Sequence, residues 1–127
     1  MPAVIFNGDT FQNSSFTCLA RIVGFANQPI TPATIESIKY QVWNTVSETK
    51  TVDTTEIEVE ESLFDFLQQD DYWTVDAIGY NFRLTIPGVA LPTTEVHQIE
   101  IRFFPYAGET FLIAFATSPT KSYYDGL

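Results

Sequence analysis

The sequence predicts an all-β domain, an antiparallel sandwich of about seven strands with one short helix. Three observations predict it. Apolar residues recur with a period of two in run after run, the pattern of a strand with one buried face. Turn residues separate those runs at near-regular spacing, with no alternating helical pattern between them. The chain is also rich in aromatics, with eleven Phe and six Tyr among 127 residues, and these favour a pleated surface. At 45% hydrophobic residues it can fill one core and is too apolar to be disordered throughout.

Residues 1–14 read as an N-terminal arm, in which Val4-Ile5-Phe6 is a short pairing segment before a turn at Asn7-Gly8-Asp9. The domain proper spans 15–117. Its first strand, 15–24, sets Phe16, Cys18, Ala20 and Ile22 on one side, with Thr17, Leu19, Arg21 and Val23 on the other. Apolar residues on both sides suggest cover on both faces. A connection follows over 25–32, where Gln28-Pro29 and Thr31-Pro32 exclude regular helix. In 35–43 Ile38, Tyr40 and Val42 point inward and Lys39, Gln41 and Trp43 outward.

Two strands, 49–52 and 55–60, are expected around Asp53-Thr54; in the second, Ile57 and Val59 face in and Glu56, Glu58 and Glu60 form an acidic ridge. The helix is expected over 62–69. Leu63, Phe64, Phe66 and Leu67 fall at helical spacing behind Ser62 as a cap, closing one end of the sandwich. Asp70-Asp71 ends it, and Trp73 and Val75 return to the core. Phe82, Leu84 and Ile86 then form one face of a strand, with Asn81, Arg83 and Thr85 opposite. A Pro-rich loop over 87–94 leads to a strand with Ile99, Ile101 and Phe103 inside and Glu100 and Arg102 outside. Pro105 to Glu109 turn the chain into the last strand, 110–117, and 118–127 form a polar tail carrying Tyr123 and Tyr124. An immunoglobulin-like sandwich lacking its disulfide fits this grammar best; a closed barrel is the alternative.

The formal charge is −10, and ten of the sixteen acids lie between Glu48 and Asp76 with Lys50 as the single base among them. The six basic residues are scattered singly, so capture of a phosphate backbone or an anionic membrane is disfavoured. The acidic stretch reads first as a solvated, self-repelling surface and second as a face for a basic partner or cations. One cysteine, Cys18, removes the disulfide-rich secreted class. No signal peptide or membrane-length apolar run is visible, so the expected setting is a reducing cytoplasm.

Chemistry finds few candidates. His97 is the single histidine and sits mid-strand in phase with Ile99 and Ile101, where it fills an edge of the core. Cys18 lies within a strand and behaves as a small apolar group. One His and one Cys do not make an ordinary zinc site, and Asp70, Asp71 and Asp76 lack calcium-loop spacing. No phosphate-binding Gly loop, nucleophile elbow or H-E-x-x-H motif is present. No catalytic, cofactor or metal residue is therefore expected. The candidate protein-contact residues are Val4, Ile5, Phe6, Trp43, Glu56, Glu58, Glu60, Tyr123 and Tyr124, with both chain ends suited to strapping neighbouring subunits and adding strands to exposed edges.

Three stretches carry a likeness: I-T-P-A-T-I-E-S-I-K-Y-Q-V-W (30–43), W-T-V-D-A-I-G-Y-N-F-R-L-T-I-P (73–87) and E-I-R-F-F-P-Y-A-G-E-T-F (100–111). Together they resemble small immunoglobulin-like proteins of tailed-bacteriophage and prophage structural gene clusters. The resemblance spans about 15–117, with Gly79-Tyr80-Asn81-Phe82-Arg83 its most distinctive part, and it brings no catalytic residues. It implies a non-enzymatic homo-oligomeric virion component, made in the host cytoplasm, whose partners are portal, adaptor, tail or capsid subunits. A head–tail connector in the neck is the first placement it implies, capsid cement or decoration the second, and a tail-associated glycan-binding module the third. On this reading the acidic face either lines a channel and repels DNA or sits on a basic capsid surface.

Overall fold

A computed structural model describes residues 3–6, 8–24 and 28–124. The expected turn at Asn7, the start of the connection at Phe25 and the last three tail residues lie outside them. The described residues form eight strands: β1 (Ala3–Ile5), β2 (Phe16–Ile22), β3 (Ile35–Asn44), β4 (Thr49–Ile57), β5 (Leu63–Gln68), β6 (Tyr80–Ile86), β7 (His97–Pro105) and β8 (Phe111–Thr117). A single helical turn, α1 (Val59–Ser62), joins β4 to β5. The strands make two antiparallel four-stranded sheets, ordered β1-β2-β6-β5 and β4-β3-β7-β8.

The period-two alternation does what it predicts. Phe16, Cys18, Ala20, Ile22, Phe82, Leu84 and Ile86 from one sheet form one core with Ile38, Tyr40, Val42, Ile99, Ile101, Phe103, Ile113 and Phe115 from the other. Phe82, Ile101 and Phe103 are fully buried. Phe82 meets Phe103 edge-on across the core at 5.3 Å between ring centroids, and Phe103 stacks on Phe111 at 4.8 Å. The fully buried rings of Phe82 and Phe103 each contribute about 1.5–3 kcal/mol by leaving water. Cys18 is fully buried, and burial pushes its thiol far up from the ordinary value. The second face of β2 is covered too. Leu19 sits under Trp73 and Tyr80, with Phe6 and Phe64 packed alongside.

Three expectations change. Residues 63–68 form strand β5, not a helix, and the α-helical turn α1 precedes them, with Ser62 at its end. An eight-residue helix bears the full nucleation cost for little propagation, whereas a strand places Leu63 in the core opposite Phe82. Phe66, which the helical spacing turned inward, is 81% exposed. The two strands expected at 49–60 are one strand, β4, whose register against β3 shifts near Val52. Finally, strand structure after α1 and β5 resumes only at Tyr80. Trp73 is buried as expected, but from a loop, and Val75 is exposed.

Candidate functional site

The 70–79 loop is built around two carboxylates. Asp76 accepts the Trp73 indole N–H at 2.9 Å, the Arg21 guanidinium at 2.8 and 3.0 Å, and the backbone N–H groups of Ile78 and Gly79. The indole bond foremost, then Arg21 and the backbone donors, hold its carboxyl well below the usual carboxylate range. Asp70 accepts the Tyr80 hydroxyl at 2.6 Å and the Tyr72 N–H at 3.0 Å. Burial, reinforced by that carboxylate, pushes the Tyr80 phenol up to about 12. Both acids are thus spent on fixing a loop. No group of three or more His, Cys, Asp or Glu is placed to hold a metal among the described residues.

His97 is fully buried at the start of β7, as its phase predicts. Its Nδ1 lies 2.7 Å from the Glu95 carbonyl and so donates to it, and Nε2 has no hydrogen-bond partner among the described residues. Among the described residues no hydrogen bond joins His97 to Cys18, so the two make no nucleophile–base pair.

The outer face of β4-β3-β7-β8 is the most featured surface. Its register lines side chains in cross-strand rows: Glu56, Lys39, Arg102 and Leu112 in one, Lys50, Trp43, Gln98 and Ala116 in another. A shallow cleft of about 300 Å³ lies over the first, bordered by Gln41, Thr54 and Phe104. Lys39 and Arg102 stand directly opposite each other, and the Lys39 ammonium rests 5.3 Å from the Phe104 ring centre. Trp43 is half-buried here, donating its indole N–H to Gln41 at 3.0 Å under the Lys50 ammonium.

The remaining candidates are dispersed. Val4 and Ile5 lie in β1, opposite Arg21 and Ala20, and the Phe6 N–H donates to the Leu19 carbonyl at 3.0 Å, so this part of the arm is laid on its own domain. Glu56, Glu58 and Glu60 are all exposed, yet they do not share a strand: Glu56 is in β4, Glu58 precedes α1 and Glu60 belongs to it. Tyr123 and Tyr124 are exposed, the former under the Lys121 ammonium at 5.1 Å. The structure brings Trp43 and Glu56 onto one sheet face and leaves Val4 to Phe6 on the other sheet. The opposed Lys39–Arg102 pair went unread in the sequence because its two halves are 63 positions apart, though the outward phase of each was visible.

Comparison with known proteins returned no match from protein-family models, from curated proteins or from solved structures.

Proposed function

We propose that this chain is an immunoglobulin-like, non-enzymatic assembly protein of a tailed-phage virion, positioned in the head–tail neck. The observation that carries the non-enzymatic part is how the reactive groups are used. His97 and Cys18 are sealed in the core, and Asp70 and Asp76 hold a loop. Meanwhile Glu56, Glu58, Glu60, Tyr123 and Phe66 face outward. Strand order supports the immunoglobulin-like part. The order β1-β2-β6-β5 against β4-β3-β7-β8 corresponds to an A-B-E-D sheet against a C-F-G sheet extended by one strand beside C. The virion and neck placements rest on the sequence likeness in 30–43, 73–87 and 100–111.

Quantitative mass spectrometry of purified particles, split into heads and tails, tests the reading. A ring's worth of copies, on the order of ten, at the head–tail junction is the expected result. Hundreds of copies travelling with heads would replace the neck by a cement role. Absence from particles would end the virion reading.

A further inference from the structure

Two four-stranded sheets have four edges, here β1, β5, β4 and β8. Exposed edges offer unpaired backbone groups to any other strand, and proteins blunt them with short strands, charges, bulges or cover. Three of these edges are blunted. β1 has three residues. β5 carries Asp65 and breaks register against β6 between Leu63 and Gln68. β4 carries Lys50, Asp53 and Glu56, shifts register against β3, and has the Thr51 hydroxyl tied to the Ala90 carbonyl at 2.7 Å.

Among the described residues β8 has none of these devices. Phe111–Thr117 contains no charge, proline or glycine, although the chain carries −10. It follows β7 through seven unbroken register positions. Among the described residues no backbone hydrogen bond reaches it from any segment but β7, and the 10–12 segment covers the chain only from Thr120 onward. Its outer side chains, Leu112, Ala114 and Ala116, are exposed and mostly small.

We propose that β8 pairs antiparallel with β8 of a second copy across a twofold axis at Ala114, fusing two four-stranded sheets into one of eight strands. The strand is self-complementary in that register. Ala114 faces the partner's Ala114, and Leu112 faces the partner's Ala116, large against small. Ile113 faces the partner's Phe115, so the two cores meet along an apolar seam. Charge does not oppose the contact. Glu100 is the β7 neighbour of Ala114, so the two Glu100 positions lie three strand spacings apart, about 14 Å. That exceeds the screening length of about 8 Å at physiological salt. The contact is isologous, and a second copy is the occupant whose shape matches by construction. The inference rests on reading the chain as a self-assembling protein but is indifferent to its place in a virion.

Sedimentation velocity of the full chain over micromolar concentrations gives the first readout, with a dimer expected. Ala114→Lys sets two cations against each other at the axis and should shift the protein to monomer, its far-UV circular dichroism unchanged. Oxidised Ala114→Cys should form a covalent dimer, and Ala116→Cys should not, because position 116 faces Leu112 of the partner subunit. A wild-type chain that stays monomeric overturns the proposal, and so does a dimer that survives Ala114→Lys. Equal cross-linking at 114 and 116 overturns the register. Failure here leaves the particle mass spectrometry untouched, so the two readings fall separately.

Discussion

Replacing Asn81 with Ala should cost far more stability than its place on the outward phase of β6 implies. The β2–β6 pairing ends at Ala20↔Phe82. Beyond it the Asn81 carboxamide takes over the ladder, accepting the Ile22 N–H at 2.7 Å and donating to the Ile22 and Ile30 carbonyls at 2.9 and 3.1 Å. The side chain is 1% exposed, so water cannot stand in for it. Asn81→Ala strips these partners from the Ile22 N–H and the Ile30 carbonyl, while the Ile22 carbonyl keeps the Ile30 N–H at 3.1 Å. Two buried polar groups at about 1–3 kcal/mol each give a loss of about 2–6 kcal/mol. That is a large share of the 5–15 kcal/mol typical of a domain. Urea unfolding should show a lower midpoint with unchanged slope. Asn81→Asp should be worse than Ala near neutral pH, because it keeps the acceptor but turns a buried charge toward two carbonyl oxygens. It should partly recover at acid pH, where the protonated carboxyl donates again. A loss under about 0.5 kcal/mol for Asn81→Ala, the scale of an ordinary surface change, would refute the reasoning. So would an Asp variant no worse than Ala.

Gly79 and Gly108 both hold left-handed backbone, at φ 112° and 98°, but a Cβ at Gly79 would strike the Gln68 carbonyl whereas one at Gly108 meets open space. Gly79→Ala should therefore lose about 2–3 kcal/mol in thermal melts and Gly108→Ala about 1 kcal/mol; equal losses would show that the contact contributes nothing. The depressed Asp76 carboxyl adds stability that is fully present above the unfolded value near pH 3.9 and is lost as pH falls toward the lower folded value. The gap between wild type and Asp76→Asn in denaturant titrations should thus be widest near neutral pH and close below about pH 4; a constant gap would contradict it. Cys18, buried and with its thiol pKa raised, should react with a thiol reagent only as fast as the domain opens, and rapid labelling under native conditions would contradict its burial.

Five consecutive residues show what was legible in the sequence and what was not. The alternation placed Phe82 in the core and Arg83 outside, because a period of two reports which way a side chain points. It also turned Asn81 outward and stopped there. Its burial depends on β2 and the Ile30 segment, more than fifty residues away. Gly79 signalled a turn, but the Gln68 carbonyl that forbids a side chain belongs to an edge strand read as helix. At 63–68 the apolar spacing fitted a helix, and pairing with β6 overrode it. The contact candidates show the same limit. Exposure of Glu56 and Tyr123 and the outward direction of the half-buried Trp43 followed from local pattern, whereas the attachment of Val4 to Phe6 to β2 is a tertiary fact. The bare edge of β8 was visible as an uncharged run, yet only sheet order reveals that it is an edge at all.

The 10–12 segment and Thr120 run parallel, joined by the Gln12 N–H to the Thr120 carbonyl at 2.8 Å and the Thr120 N–H to the Thr10 carbonyl at 2.9 Å. In parallel strands, tension applied from the N-terminal side of one and the C-terminal side of the other slides them lengthwise. Both bonds are then strained together instead of peeling one after the other. A tether pulled through both termini loads this clasp once β1 has come away from β2, and single-molecule stretching should find a force peak that falls when Thr120→Pro removes the second donor. An unaltered peak would place the mechanical resistance elsewhere in the domain.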